Sequence, residues 1–139
     1  MNIWVNGCFD ILHIGHLNLL EYAKNLRDPK SKYLRLNRLI VGIDSDRRVK
    51  ELKGGNRPIN NENDRKRMLE ALAVVDEVVI YDTKEQMCDY ISTFRIDFMV
   101  VGEEYKEKGV LCREHSENDV VFFPKDEKSS SIIIEKLEL

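Results

Sequence analysis

The run "NGCFDILHIGHLNLLEYAK", residues 6 to 24, sets two imidazoles three positions apart, His13 and His16, with Gly15 between them, where an apolar helical pattern begins. A helix N-terminus presents N–H groups without intrahelical partners and the positive end of the helix dipole, so it attracts phosphate. Gly15 removes a side chain where a ligand must approach the backbone. Imidazoles beside such N–H groups supply donors to phosphate oxygens, and such donors stabilise charge that develops during attack at phosphorus. Two other readings of these residues stay open. One is a zinc site from Cys8, His13 and His16, for which no fourth ligand stands at a recognisable spacing. The other is a pair of histidines satisfied by local hydrogen bonds.

The elements that must position this pair follow from the hydropathy pattern. Residues 3 to 5 form a short apolar run, Leu17, Leu20, Ala23 and Leu26 recur at helical spacing, and "RLIVGI" at 38 to 43 has the branched composition of a buried strand. The alternation continues with a helix across "NDRKRMLEALA", a strand in "EVVIY", a helix near residues 85 to 94, strands in "DFMVVG" and "VVFF", and a last helix over "SIIIEKLEL". Such alternation predicts an α/β fold, a Rossmann-like parallel sheet with helices on both faces, and ligands then sit beyond the carboxyl ends of the strands. No G-x-G-x-x-G follows a strand and no G-x-x-x-x-G-K-[ST] occurs, which argues against a dehydrogenase or a Walker-type kinase.

Length and charge bound the function further. The 139 residues are the size of one domain, read as 1–139 without an internal boundary, and need no disulfide or metal to build a core. A net charge of -3 lacks the basic excess that a nucleic-acid partner requires. No apolar run approaches membrane-spanning length and no signal-peptide pattern opens the chain, so the expected location is cytoplasmic, with no membrane partner. Cys8, Cys88 and Cys112 are odd in number, widely spaced and free of any C-x-x-C pair, which fits a reducing compartment better than a disulfide framework. On that reading Cys88 and Cys112 are small core or surface residues. The basic segment 27–38, with Arg27, Lys30, Lys32, Arg35 and Arg38, reads as a solvated insertion or a contact with an anionic group.

"GCFDILHIGHLNLLEYAK" resembles the first signature of the small nucleotidylyltransferases of the cytidylyltransferase-like group, whose HxGH motif is spelled here as HIGH. The resemblance extends through "VGIDSDRRVKELKGGNRPINNENDRKRMLEALAVVDEVVIYD", through "IDFMVVGEEY" and to the serines at Ser129 to Ser131. It thus covers nearly the whole chain in order. Two kinds of member compete. "LKGGNRPINNENDR" and G-C-F-D look like the heptose-1-phosphate adenylyltransferases, whereas the short length is similar to the glycerol-3-phosphate cytidylyltransferases. Aminoacyl-tRNA synthetases share a HIGH motif, but this chain has no room for tRNA recognition.

The resemblance implies transfer of a nucleotidyl group from ATP or CTP to the phosphate of a small sugar or polyol, with magnesium accompanying the nucleotide and a homodimer as the assembly. It implies catalytic roles for His13, His16, Lys53 and Arg65, the last as a contact to the β- and γ-phosphates. Gly7, Cys8, Phe9, Gly15, Lys50, Glu103, Ser130 and Ser131 would line the nucleotide site, with Lys50 and Lys53 on a connecting loop. Asp10 would orient the acceptor or a histidine. No residue is assigned to a protein-held metal. Three departures stand out: Cys8 where the glycerol enzymes carry threonine, Lys125 in place of arginine, and Lys128 in place of glycine. The altered terminal loop is what keeps a second hypothesis in view, a nucleotide-binding module that retains the fold without turnover.

Overall fold

In the computed structural model, which describes residues 1–32 and 36–124, the apolar runs become a parallel sheet of β1 (Asn2–Gly7), β2 (Arg38–Asp44), β3 (Glu77–Tyr81), β4 (Phe98–Gly102) and β5 (Val121–Phe123). The spatial order is β3-β2-β1-β4-β5, every neighbouring pair being parallel. The chain moves outward from β1 through β2 and β3, then crosses back to β4, so the direction of winding reverses beside β1. Ligands favour such a reversal because the connecting loops on either side diverge and leave a crevice.

Side chains on a strand alternate between faces, and the core divides accordingly. Ile3, Val5, Leu39, Val41 and Ile43 pack with Leu20 and Ala23 of α1 (Ile14–Lys24) and Leu69 of α3 (Glu62–Glu70). Trp4, Ile40 and Met99 pack on the other side with Met87, Cys88 and Ile91 of α4 (Lys84–Thr93). The predicted two-sided sheet is therefore present, and β1, fully internal, carries the catalytic-looking loop at its carboxyl end.

Two helices were not expected from the pattern. α2 (Asp46–Lys53) buries only Val49, so it lacks an apolar stripe; its signal is the cap, where Ser45 Oγ accepts from Arg48 N at 3.2 Å. Lys50 and Lys53 consequently lie in the last turn of a helix and not on a loop. α5 (Tyr105–Lys108) is a single turn with no buried residue, and a 3-10 turn follows at Arg113–His115. The helix expected over 63–73 begins at Glu62 and ends at Glu70.

The reading of the cysteines is corrected. Cys88 and Cys112 form a disulfide across 24 positions, joining α4 to the loop ahead of the 3-10 turn, while Cys8 is a buried free thiol. Nothing in linear spacing shows this, because the chain between the two residues runs through β4 and returns. The basic segment is paired at its end, Arg38 with Glu77, and Lys24 just upstream of it meets Asp76 at 2.6 Å. Lys125, Lys128, Ser129 to Ser131 and the helix expected over "SIIIEKLEL" lie outside the described residues.

Candidate active site

The loop from Cys8 to Leu12 turns the chain from β1 into α1, and Phe9 is the residue that makes the turn, with φ of 51°. A bulky residue in the left-handed region costs on the order of 1–3 kcal/mol and persists only when its surroundings hold it. Here burial holds it: Phe9 is 5% exposed, and its ring stands 5.1 Å from the His16 ring. Phe9 is thus a support under the histidine pair.

His13 is the N-cap of α1 and His16 is its third residue, and the two histidines cap each other. Gly15 N donates to His13 Nδ1 at 3.0 Å, and His13 N donates to His16 Nδ1 at 3.3 Å. The rings stack with centroids 3.8 Å apart and planes at 24°. This is the reciprocal arrangement of a capping box, which requires the i, i+3 spacing of H-x-G-H. Because each Nδ1 accepts a hydrogen bond, the proton of each neutral ring belongs on Nε2. The local-hydrogen-bond reading and the phosphate reading are therefore compatible: one nitrogen holds the ring and the other is the donor. Gly15 is buried within the first turn.

Beside this loop lies a cavity of about 310 Å³ lined by residues that include Asn6, Gly7, Cys8, Asp44, Arg48, Lys53 and Tyr81, with Tyr105 and Gly109 to Leu111 opposite. The size suits a small phosphorylated molecule. Polar groups converge on one wall. Asp44 accepts from Arg48 Nε at 2.9 Å, the Arg48 guanidinium lies 5.6 Å above the Tyr81 ring, and the Tyr81 hydroxyl shares hydrogen bonds with Asp44 and Asn6. Burial, reinforced by the Asp44 charge, pushes the Tyr81 phenol well above its ordinary range, so it remains a donor. Burial likewise pushes the Cys8 thiol up, against the opposing charges of Lys53 and Arg65, so Cys8 is a neutral thiol at neutral pH.

Two predicted site residues face inward instead. Arg65 is 1% exposed; its Nη1 donates to the carbonyls of Cys8 and Asp44 at 2.9 and 2.8 Å, its Nε to Asn60 O at 2.9 Å, and its Nη2 to Asp46 Oδ1 at 2.8 Å. A guanidinium so engaged ties the ends of β1 and β2 to the start of α3 and braces the loops around the site. Asp10, 2% exposed, accepts from Arg57 Nε at 3.3 Å, Ile59 N at 2.9 Å and Asn60 N at 2.8 Å, while Asn60 Nδ2 donates to Asp10 O at 2.7 Å. Its carboxylate thus latches the 57–60 loop.

Gly7, Cys8 and Lys53 are brought together at the cavity; Lys50 is exposed on α2 and is not among the lining residues. Glu103 is exposed, and its N–H donates to Phe123 O at 2.7 Å. Ser130 and Ser131 lie outside the described residues. Sequence reasoning missed Asn6, Asp44, Arg48 and Tyr81, although the i, i+4 spacing of Asp44 and Arg48 was visible, and it missed Arg57 and Asn60 within the quoted R-P-I-N. Among the described residues, the convergent group of potential metal ligands is Cys88, Glu114 and His115, not Cys8, His13 and His16.

A parallel sheet with a mutually capped histidine pair at its first strand-to-helix junction defines a Rossmann-like nucleotidyltransferase fold. The chain belongs to the cytidylyltransferase-like family, whose model matches residues 4–136. It is 42% identical over 136 residues, 98% of its length, to the bifunctional protein HldE of Campylobacter fetus subsp. fetus, of which it covers 28%. It is 46% identical over 109 residues, 78% of its length, to HldE of Koribacter versatilis, of which it covers 20%. The chain thus spans less than a third of these relatives. A lipopolysaccharide core biosynthesis protein from Thermoplasma volcanium shares the fold, with a TM-score of 0.66 at 23% identity over 91% of this chain and 98% of that one.

Proposed function

We propose that this chain transfers a nucleotidyl group from a nucleoside triphosphate to the phosphate of a small sugar, with ATP and a heptose-1-phosphate as the leading pair. The observation that carries the reading is the mutual capping of His13 and His16 at the carboxyl end of β1. An acceptor phosphate oxygen attacks the α-phosphorus, pyrophosphate leaves, and the protein's task is to place two anions and stabilise the crowded phosphorus. The Nε2–H groups of the two histidines and the Lys53 ammonium act on the phosphates. The cavity wall of Asn6, Asp44, Arg48 and Tyr81 offers both donors and acceptors to hydroxyl groups of the acceptor. The wording of "LKGGNRPINNENDR" and the HldE relatives favour the heptose branch over glycerol-3-phosphate.

A magnesium ion bound with the nucleotide would neutralise triphosphate and pyrophosphate charge. The donor set fits that mode: the carboxylates of Asp10, Asp44 and Asp46 are each paired with an arginine, leaving the ion to phosphate oxygens and water. A homodimer in the cytoplasm remains the expected setting.

The test is a matrix of ATP and CTP against heptose-1-phosphate and glycerol-3-phosphate with magnesium, scoring pyrophosphate, with His16→Ala as the blank. Turnover with ATP and heptose-1-phosphate that vanishes in the variant is the expected result. Tight nucleotide binding without pyrophosphate in any pairing would favour the non-catalytic module.

A further inference from the structure

The Cys88–Cys112 disulfide has neighbours that a disulfide does not need. Ligand atoms of Cys88, Glu114 and His115 all lie within 4.8 Å of one another, and the Cys112 sulfur is bonded to that of Cys88. Two sulfurs, an imidazole and a carboxylate therefore meet between α4 and the 3-10 turn. The sulfurs are on the inner side, with Cys88 and Cys112 9% and 1% exposed, whereas Glu114 and His115 are exposed, so an ion has a path of entry from solvent.

The imidazole is already oriented. Ser92, one turn beyond Cys88 on α4, has its Oγ 2.9 Å from His115 Nδ1, and His115 Nε2 lies 3.6 Å from Glu114 Oε1. A hydrogen bond at one ring nitrogen fixes the orientation of the ring, as in metal sites whose histidines are held from behind. In sequence, C-x-x-H at 112–115 has the short spacing that zinc-ligand pairs use. Around a tetrahedral zinc with bonds of about 2.0–2.3 Å, ligand atoms stand roughly 3.3–3.8 Å apart, so Cys88, Glu114 and His115, now within 4.8 Å of one another, would close in while the two sulfurs separate once their bond is broken.

We propose that Cys88, Cys112, His115 and Glu114 form a zinc-class cation site that exists only when the two cysteines are reduced, so that either the disulfide or the ion fastens α4 to the 109–115 segment. The exchange balances. A dithiol reductant delivers two electrons and two protons, breaking the S–S bond to give two thiols while it is itself oxidised to a disulfide; the cation then displaces both thiol protons to form two metal–sulfur bonds. Soft thiolate with imidazole selects zinc over magnesium or calcium. Gly109 to Leu111 and, next to Cys88, Met87 also line the cavity, so the same fastening shapes its wall. That consequence rests on the cavity being the acceptor's; metal binding does not.

The full chain, with and without treatment by a phosphine reductant, would be titrated with cobalt(II) as a spectroscopic stand-in for zinc. Reduced protein should take up one equivalent with sulfur-to-cobalt charge-transfer absorption and tetrahedral visible bands, and oxidised protein none. Ser92→Ala should weaken binding about 10–100-fold, and His115→Ala should weaken it further. On the unaltered chain, zinc should slow alkylation of Cys88 and Cys112 but not of Cys8, read by peptide mass. Absence of the charge-transfer band in the reduced chain would overturn the proposal. So would a band undiminished in His115→Ala, which would place the ion elsewhere, or alkylation of Cys88 and Cys112 at the same rate with and without zinc.

Discussion

The guanidinium of Arg65 donates to the backbone carbonyl of Cys8 at 2.9 Å, across 57 positions of sequence and in a site closed to solvent. This contact makes the shape of the loop ahead of the histidines depend on α3. Truncating a buried donor strands the carbonyl oxygens it satisfied, here those of Cys8 and Asp44, at about 1–3 kcal/mol for each unsatisfied group. Arg65→Ala should therefore lower the urea midpoint strongly, with Arg65→Lys recovering little because an ammonium cannot reach four acceptors in one plane. A variant with unchanged stability and only a raised KM for the nucleotide would return Arg65 to the role of phosphate contact.

His16→Ala and His13→Ala should differ in a way that separates capping from chemistry. Both lose a donor worth about 10²–10³ in kcat. Replacing His13 also removes the N-cap side chain, a further loss of about 1 kcal/mol in stability. Denaturation curves beside kcat for the two variants check this; equal stability losses would mean that the reciprocal bond from His13 N to His16 matters as much as the cap itself.

Gly42 lies in β2 directly under Trp4. A Cβ there would stand 2.3 Å from the Trp4 ring and 3.1 Å from that of Tyr81, and Trp4 is fully buried. Gly42→Ala must displace the indole or the strand, an overpacking cost of about 1–3 kcal/mol. Because Tyr81 also lines the cavity, KM for the acceptor should rise in parallel with the fall in stability, as measured by urea unfolding and initial rates.

Acid should weaken the protein partly through Asp76. Burial opposes its ionised form, but the Lys24 hydrogen bond, the Leu39 N–H and the charges of Lys24 and Arg38 prevail and hold its carboxyl below the ordinary range. A depressed carboxylate stabilises the fold above the unfolded pKa, about 3.9, and that contribution is lost as pH falls through the lower folded value. Asp76→Asn should thus be less stable than the parent at pH 7 and converge with it as pH drops below about 4. Parallel stability curves over that window would remove Asp76 from the acid response.

The residues themselves determined the alternation of strands and helices, because buried strands in a parallel sheet must be nearly continuous apolar runs, and "RLIVGI" and "EVVIY" are such runs. They also marked His13 and His16, since H-x-G-H has the spacing of a helix-capping pair at a strand-to-helix junction. α2 was hidden because a helix that buries one residue leaves no periodic stripe. Only the tertiary structure decided which charged residues line the cavity and which brace the loops around it. Arg65 and Asp10 read as surface chemistry in the chain, yet their partners, Cys8 O and Asp46 for one and the 57–60 loop for the other, are assembled by packing. The meeting of Cys88, Cys112 and His115 has the same origin. Contacts between residues distant in sequence depend on how the sheet winds, and local spacing carries no record of that.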